Sequence, residues 1–247
     1  MIEFYLVIVA LVSYLFGSIN WALIIAKSKN KDIRSMGSGN PGTLNMSRNL
    51  GLKFGILTFL LDVLKGVLPT LITFFVFRGI KFTNSNFYVS DFAIYLSGLS
   101  VVLGHIFPIY FGFKGGKGIA STIGVFIICE SVHGFSWASI VIMALVAALL
   151  FIYFTEFGAM GSFIAITPPA IAGTIRLMLT YGKFNASSSG YHIVTNILIL
   201  AICFFTWFAH RKNIERMLSG DEHPTSIKSM VVKRKEKKLE EQNKTEN

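Results

Sequence analysis

The stretch GHIFPIYFGFKGGKGIA, residues 104–120, ends one apolar segment of the chain and opens the next. Four glycines and two lysines fall within its residues 112–118. Glycine has no side chain, so its backbone amide can approach a ligand closely. The residues after Gly118 have the pattern of a helix, whose N-terminus attracts anions. The stretch therefore predicts a phosphate site at the start of an apolar helix, although a plain basic loop has the same composition.

The spacing within this stretch excludes a nucleotide-binding P-loop. That motif requires a glycine separated by four residues from a Gly-Lys pair, followed by serine or threonine. Phe111 stands where the first glycine is required, and Gly118 stands where serine or threonine is required.

Apolar runs of membrane-spanning length surround this stretch. Hydrophobic residues make up 53% of the 247 residues and charged residues only 15%. About twenty apolar residues in a helix cross the roughly 30 Å of a bilayer core. The sequence predicts an all-α polytopic membrane protein of about seven transmembrane helices, at residues 3–26, 54–77, 88–111, 119–134, 136–154, 158–179 and 191–209. The fourth segment is short, so a five-span arrangement with re-entrant segments stays open.

Residues 1–222 are expected to form a single integral membrane domain. Residues 223–247 form a basic tail whose composition predicts disorder. Eighteen lysines and arginines lie on one predicted side of the membrane and four on the other. Positive charge favours the cytoplasmic side, so we expect the N-terminus outside and the C-terminus in the cytoplasm. The expected location is the plasma membrane. The net charge of +10 then fits anionic lipid headgroups rather than nucleic acid.

Another polar segment, GSGNPGTLNMSR at residues 37–48, follows the first apolar run. We call it the first segment, because it comes first along the chain. Ser38 and Asn45 provide polar side chains, and Arg48 provides a planar guanidinium that binds phosphate through two hydrogen bonds. The segment therefore predicts a second anion-binding element. A plain turn with a cytoplasmic arginine is the alternative.

A third segment, HRKNIERMLSGDE at residues 210–222, follows the last apolar run. His210 and Asn213 are three residues apart and can share one helix face. Gly220 is typical of a helix end and precedes Glu222. His210 in this position could serve as a general base.

Several polar residues lie inside or beside the predicted spans. Asp62 and Lys65 are spaced to form a structural ion pair in the polar interior. His105 is either a buried structural histidine or a proton-transfer group. Thr155 could add a hydroxyl to the site from an inner turn. The chain shows no cluster of Cys, His and carboxylates, so we expect neither a metal nor another cofactor.

The three segments resemble the three motifs of the bacterial acyl-phosphate-dependent glycerol-3-phosphate acyltransferases, which are integral membrane enzymes of phospholipid synthesis. The resemblance extends from the first span to about Glu222. It implies that an acyl group moves from a fatty acyl phosphate to the 1-hydroxyl of glycerol 3-phosphate, giving lysophosphatidic acid and phosphate. The sequence departs from the family at Thr43-Leu44, where Ala-Thr is more frequent. That departure leaves any role for the family's threonine hydroxyl in doubt here.

The resemblance and the chemistry together give an expected set of site residues. The catalytic residues are Ser38, Arg48, His210 and Asn213. The substrate-binding residues are Asn45, Lys114, Gly115, Gly116, Lys117, Gly118, Glu222 and Thr155. The supporting residues are Asp62, Lys65 and His105. In this scheme the glycine loop, residues 112–118, holds the donor phosphate with Lys117. The other two segments hold glycerol 3-phosphate.

Two questions stay open at this point. The proton of the attacking hydroxyl goes either to His210 or to the leaving phosphate, and the resemblance favours the phosphate.

The expected partners are the bilayer and the soluble enzyme that makes acyl phosphate. The competing function is a transporter or channel for organic phosphates, which predicts a continuous polar path across the membrane.

Overall fold

A computed structural model describes residues 1–181, 189–222 and 225. The described residues form α1 (Ile2–Gly17), α2 (Trp21–Ser28), α3 (Thr43–Leu50), α4 (Leu52–Phe77), α5 (Val89–Ile106), α6 (Ile119–Ser131), α7 (Phe135–Thr155), α8 (Gly158–Tyr181), α9 (Ser189–Ala209) and α10 (Arg211–Ser219). Short 3₁₀ turns lie at Ile33–Ser35 and Ile109–Phe111. A single β-bridge pairs Lys81 with Tyr88 in this part of the chain.

Six helical segments of the described residues are long and apolar enough to cross a membrane. They are Ile2–Ser28, Leu52–Phe77, Val89–Phe111, Phe135–Thr155, Gly158–Tyr181 and Gly190–Ala209. The apolar helix α6 has 13 residues, which is about 20 Å of helix and shorter than the roughly 30 Å bilayer core. The prediction of an all-helical polytopic membrane protein is confirmed. The count becomes six full-length candidate spans and one short, largely buried helix.

The first predicted span is not one helix. α1 ends at Gly17, and α2 begins at Trp21. The Asn20 side chain accepts a hydrogen bond from the Leu23 amide at 3.1 Å and so caps α2. The predicted span over 3–26 is confirmed as the apolar segment Ile2–Ser28. It consists of two helices, because a capping residue starts a new helix inside the apolar run.

Small residues hold α1 close to α5. The hydroxyls of Ser13 and Ser97 are 2.9 Å apart and buried. A methyl group at Gly17 would stand 2.7 Å from the Val101 Cα, closer than side chains approach in proteins. Close approach through small residues is a common way for membrane helices to associate. The contact fixes the direction of α5, whose C-terminal end leads into the glycine loop.

A buried polar cluster joins α4 to its neighbours below the glycine loop. Lys65 Nζ lies 3.1 Å from Asp62 Oδ1, which is the ion pair that their spacing predicts. Lys65 also donates to the Ile19 carbonyl at 2.8 Å, within the break between α1 and α2. His105 Nδ1 lies 3.8 Å from Asp62 Oδ1 and 3.3 Å from the Ser121 hydroxyl. The cluster therefore connects α4, α5 and α6 with the break between α1 and α2, and the expected supporting residues Asp62, Lys65 and His105 all belong to it.

A second buried polar network lies at the opposite end of the bundle. Arg176 on α8 donates to the Tyr95 hydroxyl at 3.0 Å, and Tyr95 donates to Glu130 Oε1 at 2.9 Å. Arg176 Nε also lies 3.5 Å from Glu130 Oε2. All three side chains are buried. The network, which we call the Arg176 network, ties α5, α6 and α8 together.

Candidate active site

The three polar segments recognised in the sequence meet at one end of the helix bundle. Arg34, just before the first segment, donates to the Phe111 carbonyl at 3.1 Å and to the Lys114 carbonyl. Lys117 of the glycine loop donates to Asn213 Oδ1 of the third segment. The fold thus brings together segments that lie about 100 residues apart along the chain.

The first segment is a loop followed by α3, and Asn45 determines its shape. The Asn45 side-chain amide donates to the carbonyls of Ile33 and Met36, at 3.1 and 3.0 Å. Its oxygen accepts from the Ser38 amide at 3.1 Å. These bonds hold the loop so that Ser38 is exposed. Asn45 was expected to bind substrate, but the structure commits its side chain to the loop backbone.

The glycine loop corrects the predicted phosphate nest. The Gly115 amide donates to the Ile106 carbonyl at 3.1 Å, and the Gly116 amide donates to the His105 carbonyl at 3.2 Å. The last carbonyls of a helix have no partner within the helix. In α5, two of these carbonyls accept hydrogen bonds from the amides of the glycine loop. Gly115 and Gly116 therefore do not direct their amides toward a ligand. A nest made of these two amides does not form in this structure, because the nearby helix end takes the same donors. Substrate binding by the two glycines stays a prediction.

Glycine is nevertheless required at both positions by packing. A methyl group at Gly115 would lie 2.6 Å from Pro108 Cδ. One at Gly116 would lie 3.1 Å from the Pro41 carbonyl oxygen and would also meet the His105 ring. The loop therefore fills the space between the end of α5 and the first segment. It ends at Gly118, whose φ of +84° suits glycine and starts α6.

A chain of polar contacts runs from the glycine loop through the third segment. Asn213 accepts from Lys117 through Oδ1 and donates to Glu222 Oε1 through Nδ2 at 2.7 Å. Arg216 Nε donates to Glu222 Oε2 at 3.1 Å. The Glu222 carboxylate therefore accepts hydrogen bonds from both Asn213 and Arg216 and orients the two side chains. Asn213 in turn sets the position of the Lys117 ammonium.

Cationic side chains outnumber carboxylates in this region. Lys117 interacts electrostatically with Arg48, Arg216 and Glu222, while Arg48 interacts with Glu222 and Glu156. The pKa of Lys117 is lowered to about 8, chiefly by burial, with Arg216 and Arg48 also lowering it and Glu222 opposing the shift. At neutral pH Lys117 stays mostly protonated. The site therefore carries surplus positive charge, which favours binding of phosphate groups.

His210 lies at the junction of α9 and α10, where it is buried. Its Nδ1 lies 2.9 Å from the Thr206 carbonyl. A carbonyl only accepts hydrogen bonds, so Nδ1 carries the proton and Nε2 is the acceptor. The ring packs edge-on against Phe163, with centroids 5.4 Å apart. Burial, then the charge of Lys117, lowers the pKa of His210 to about 4, so the imidazole is neutral at physiological pH.

Two expected binding residues lie apart from this arrangement. The Thr155 hydroxyl donates to the Phe151 carbonyl at 2.7 Å and accepts from the Phe157 amide at 3.2 Å, so it caps the end of α7. The Lys114 side chain is exposed on the outer surface of the loop, although its backbone carbonyl binds Arg34.

Sequence reasoning missed Arg34, Arg216 and Thr225. Arg34 resembled any arginine of a cytoplasmic loop. Arg216 shares a helix face with Asn213, which was a usable signal. Thr225 lies in a segment with the composition of a solvated tail. It is 1% exposed, and its carbonyl accepts a hydrogen bond from Arg48 Nε at 3.0 Å.

The rest of the predicted tail, residues 223–224 and 226–247, lies outside the described residues. The predicted outer loop at 180–190 also lies largely outside them, since residues 182–188 are not described.

An apolar pocket of about 240 Å³ opens beside the third segment. Phe151, Phe157, Met160 and Met217 line it together with Gly220 and Glu222. The pocket places an apolar surface next to the Glu222 carboxylate.

Comparison with known proteins places this geometry in a family. The family model for glycerol-3-phosphate acyltransferase matches residues 7–220. The glycerol-3-phosphate acyltransferase of Aquifex aeolicus (strain VF5) is 36% identical over 217 residues, which cover 85% of this chain and 94% of that protein.

The fold is also similar to solved structures of PlsY (YgiH), an integral membrane glycerol 3-phosphate acyltransferase. The glycerol 3-phosphate form has a TM-score of 0.68 and 32% identity, and the lysophosphatidic acid form has a TM-score of 0.67 and 31% identity. Both comparisons cover 89% of this chain and 95% of the solved chain. The sequence match and the shared fold agree over most of the molecule, and the chain belongs to the glycerol-3-phosphate acyltransferase family.

Proposed function

We propose that this protein transfers a fatty acyl group from an acyl phosphate to the 1-hydroxyl of glycerol 3-phosphate, giving lysophosphatidic acid and inorganic phosphate. The observation that carries the proposal is the half-buried Lys117, held by Asn213 among the cationic side chains of Arg48 and Arg216. Surplus positive charge at one end of an apolar bundle suits a reaction between a lipid-borne phosphate and a soluble one. The glycerol 3-phosphate and lysophosphatidic acid forms of the solved relative correspond to such a substrate and product.

The chemistry requires positioning and charge stabilisation more than a nucleophile from the protein. An acyl phosphate is already activated, so the glycerol hydroxyl can attack the acyl carbon directly. The new ester bond forms as the bond from the acyl carbon to the phosphate oxygen breaks. Holding two reactants in line lowers the barrier by several kcal/mol, up to roughly 10. Each donor directed at the developing oxyanion adds about 3 kcal/mol.

Individual roles follow from the geometry. Lys117 neutralises the donor phosphate and the charge that develops on it, and Asn213 positions the Lys117 ammonium. Arg48 and Ser38 bind glycerol 3-phosphate from the first segment. His210 Nε2 is the acceptor of the ring, since Nδ1 is held by the Thr206 carbonyl. It helps to bind and orient the glycerol 3-phosphate without taking the proton of the attacking hydroxyl.

The leaving phosphate is the better proton acceptor. The pKa of His210 is about 4, whereas the second pKa of a phosphate monoester is about 6. A group with the lower pKa is the weaker base at neutral pH. We therefore infer that the hydroxyl proton ends on the leaving phosphate and that the reaction is substrate-assisted.

The pH dependence of His210→Asn tests this inference. We expect the acidic limb of kcat/KM to lie near pH 6, where the phosphate groups of the substrates change from dianions to monoanions, and to stay there in the variant. If His210 were the base, the limb would follow its protonation near pH 4 and disappear in His210→Asn. Rates of phosphate release between pH 4 and 8 distinguish the two outcomes.

The bilayer supplies the donor in this proposal. A long acyl chain gains about 0.8 kcal/mol per buried methylene and partitions into the membrane. The apolar pocket beside Glu222 offers a surface for the chain next to the polar site. The excess of lysine and arginine at this end supports a cytoplasmic active site in the plasma membrane, where a soluble enzyme that makes acyl phosphate can deliver the donor.

The deciding experiment gives the purified protein in detergent acyl phosphate and radiolabelled glycerol 3-phosphate. We expect one lysophosphatidic acid and one phosphate per turnover, and no product when an acyl thioester replaces acyl phosphate. Product from the thioester alone would overturn the choice of donor. Uptake of glycerol 3-phosphate into liposomes without acylation would favour the transporter. The buried and paired Arg176 network at the opposite end makes a polar path through the bundle unfavourable.

A further inference from the structure

Thr225 returns to the active site from beyond the part of the chain that the family model covers, which ends at residue 220. Its amide donates to the Glu156 carbonyl at 2.9 Å. Its carbonyl accepts from Arg48 Nε at 3.0 Å. Two backbone hydrogen bonds in opposite directions therefore fix this residue between the end of α7 and the guanidinium of Arg48.

The Thr225 side chain is buried, and its two branches have different surroundings. The methyl carbon Cγ2 packs against Gly158 at the start of α8, where it would stand 2.7 Å from an added methyl group. Leu44 Cδ1 lies 3.2 Å from the same point. The apolar branch thus faces an apolar contact. The hydroxyl is the other branch, and it has no hydrogen-bond partner among the described residues.

A buried hydroxyl without a partner is unfavourable, and most such groups in proteins are hydrogen-bonded. The Thr225 hydroxyl is three covalent bonds away from the carbonyl carbon of the same residue, whose oxygen contacts Arg48. Thr225 thus carries a hydroxyl donor and contacts a guanidinium through its carbonyl, and a phosphate oxygen is the acceptor that binds to both kinds of group.

We propose that Thr225 is a further substrate-binding residue, whose hydroxyl donates a hydrogen bond to a phosphate oxygen of the glycerol 3-phosphate that Arg48 binds. The proposal rests on the proposed function, which assigns glycerol 3-phosphate to Arg48. It adds Thr225, a residue beyond Glu222 in the chain, to the active site. The Thr225 carbonyl also orients Arg48, so one residue positions the guanidinium and contacts its ligand.

Thr225→Val tests the proposal because valine keeps the branched shape and removes only the hydroxyl. We expect the KM for glycerol 3-phosphate to rise by about tenfold or more, as for loss of a hydrogen bond to a charged group. The kcat should change by less than about twofold, since loss of uniform binding raises KM alone. Thr225→Ser retains the hydroxyl and should keep a KM within about twofold of wild type.

Thr70→Val is the matched control. Thr70 is buried on α4, and its hydroxyl donates to the Gly66 carbonyl within the same helix. This variant loses a buried hydroxyl away from the site and should keep the wild-type KM. Thermal unfolding of all variants in the same detergent verifies that they are folded.

Gly158→Ala provides a second route should Thr225→Val fail to fold. Its new methyl group must displace Thr225 Cγ2, and the same rise in KM is expected. An unchanged KM in folded Thr225→Val, or equal rises in the valine and serine variants, would overturn the proposal. Acylation by the wild-type protein tests the function itself, so the two can fail separately.

Discussion

Lys117→Ala is expected to lower kcat/KM for acyl transfer by about 10²–10³-fold, which corresponds to roughly 3–4 kcal/mol of transition-state stabilisation. Lys117 is a half-buried cation of the site, and Asn213 holds its ammonium. Charge develops on the donor phosphate as the acyl bond breaks, and a fixed cation in a poorly hydrated site stabilises that charge strongly. Alanine removes this cation and leaves Asn213 Oδ1 without the donor that Lys117 supplies.

Lys53→Ala is the matched control for this variant. Lys53 is an exposed lysine near the start of α4, and the same substitution there should leave kcat/KM unchanged. Initial rates of phosphate release at several donor concentrations give the comparison. A Lys117→Ala enzyme with wild-type rates would remove the glycine loop from the active site.

The protonation of Lys117 also predicts the alkaline side of the pH profile. Its pKa is lowered to about 8, so the charged form dominates below pH 8 and is lost as the pH rises through that value. We expect the wild-type kcat/KM to fall above about pH 8. The residual activity of Lys117→Ala should lack this limb, and an identical limb in both proteins would contradict the assignment.

Arg176→Met is expected to destabilise the folded protein by about 3–5 kcal/mol without involving the active site. Arg176 is buried at the end of the bundle away from the glycine loop, within reach of Glu130 and the Tyr95 hydroxyl. Removing one partner of a buried ion pair leaves the other charge uncompensated. In a membrane span such a charge is especially unfavourable.

Thermal unfolding in detergent, followed by loss of the folded peak in size-exclusion chromatography, measures this effect. Arg78→Met is the control, since Arg78 is an exposed arginine just after α4. The double variant Arg176→Met with Glu130→Met should recover much of the loss, because replacing both members of a buried pair by apolar residues is often neutral. Equal stability of Arg176→Met and wild type would show that the Arg176 network contributes little to folding.

Sequence alone could predict the helices and the end of the bundle that carries the chemistry. Apolar runs specify membrane helices directly, and the distribution of lysine and arginine grouped the polar segments on one side. Lys117 and Asn213 were identified because each lies in a segment whose residue types suit phosphate. The break at Asn20 was missed, since a single capping residue interrupts a run whose composition stays apolar.

The details of the site depended on contacts that no local pattern records. The Gly115 and Gly116 amides were predicted to bind a ligand, but they donate hydrogen bonds to carbonyls at the end of α5. Arg34 and Thr225 enter the site through bonds that involve backbone carbonyls. Backbone groups are the same in every residue, so their pairing becomes visible only when the chain is folded.

The attachment of the glycine loop to α5 has a consequence for engineering this enzyme. The loop continues the hydrogen bonding of the helix end through Gly115 and Gly116, and it leaves no space for side chains against Pro108 or His105. It therefore cannot be exchanged as an independent module, because a transplanted loop with other residues at these positions would also have to move α5. Attempts to change the accepted substrates should instead vary exposed side chains of the first segment, such as Ser38, and leave the loop backbone intact.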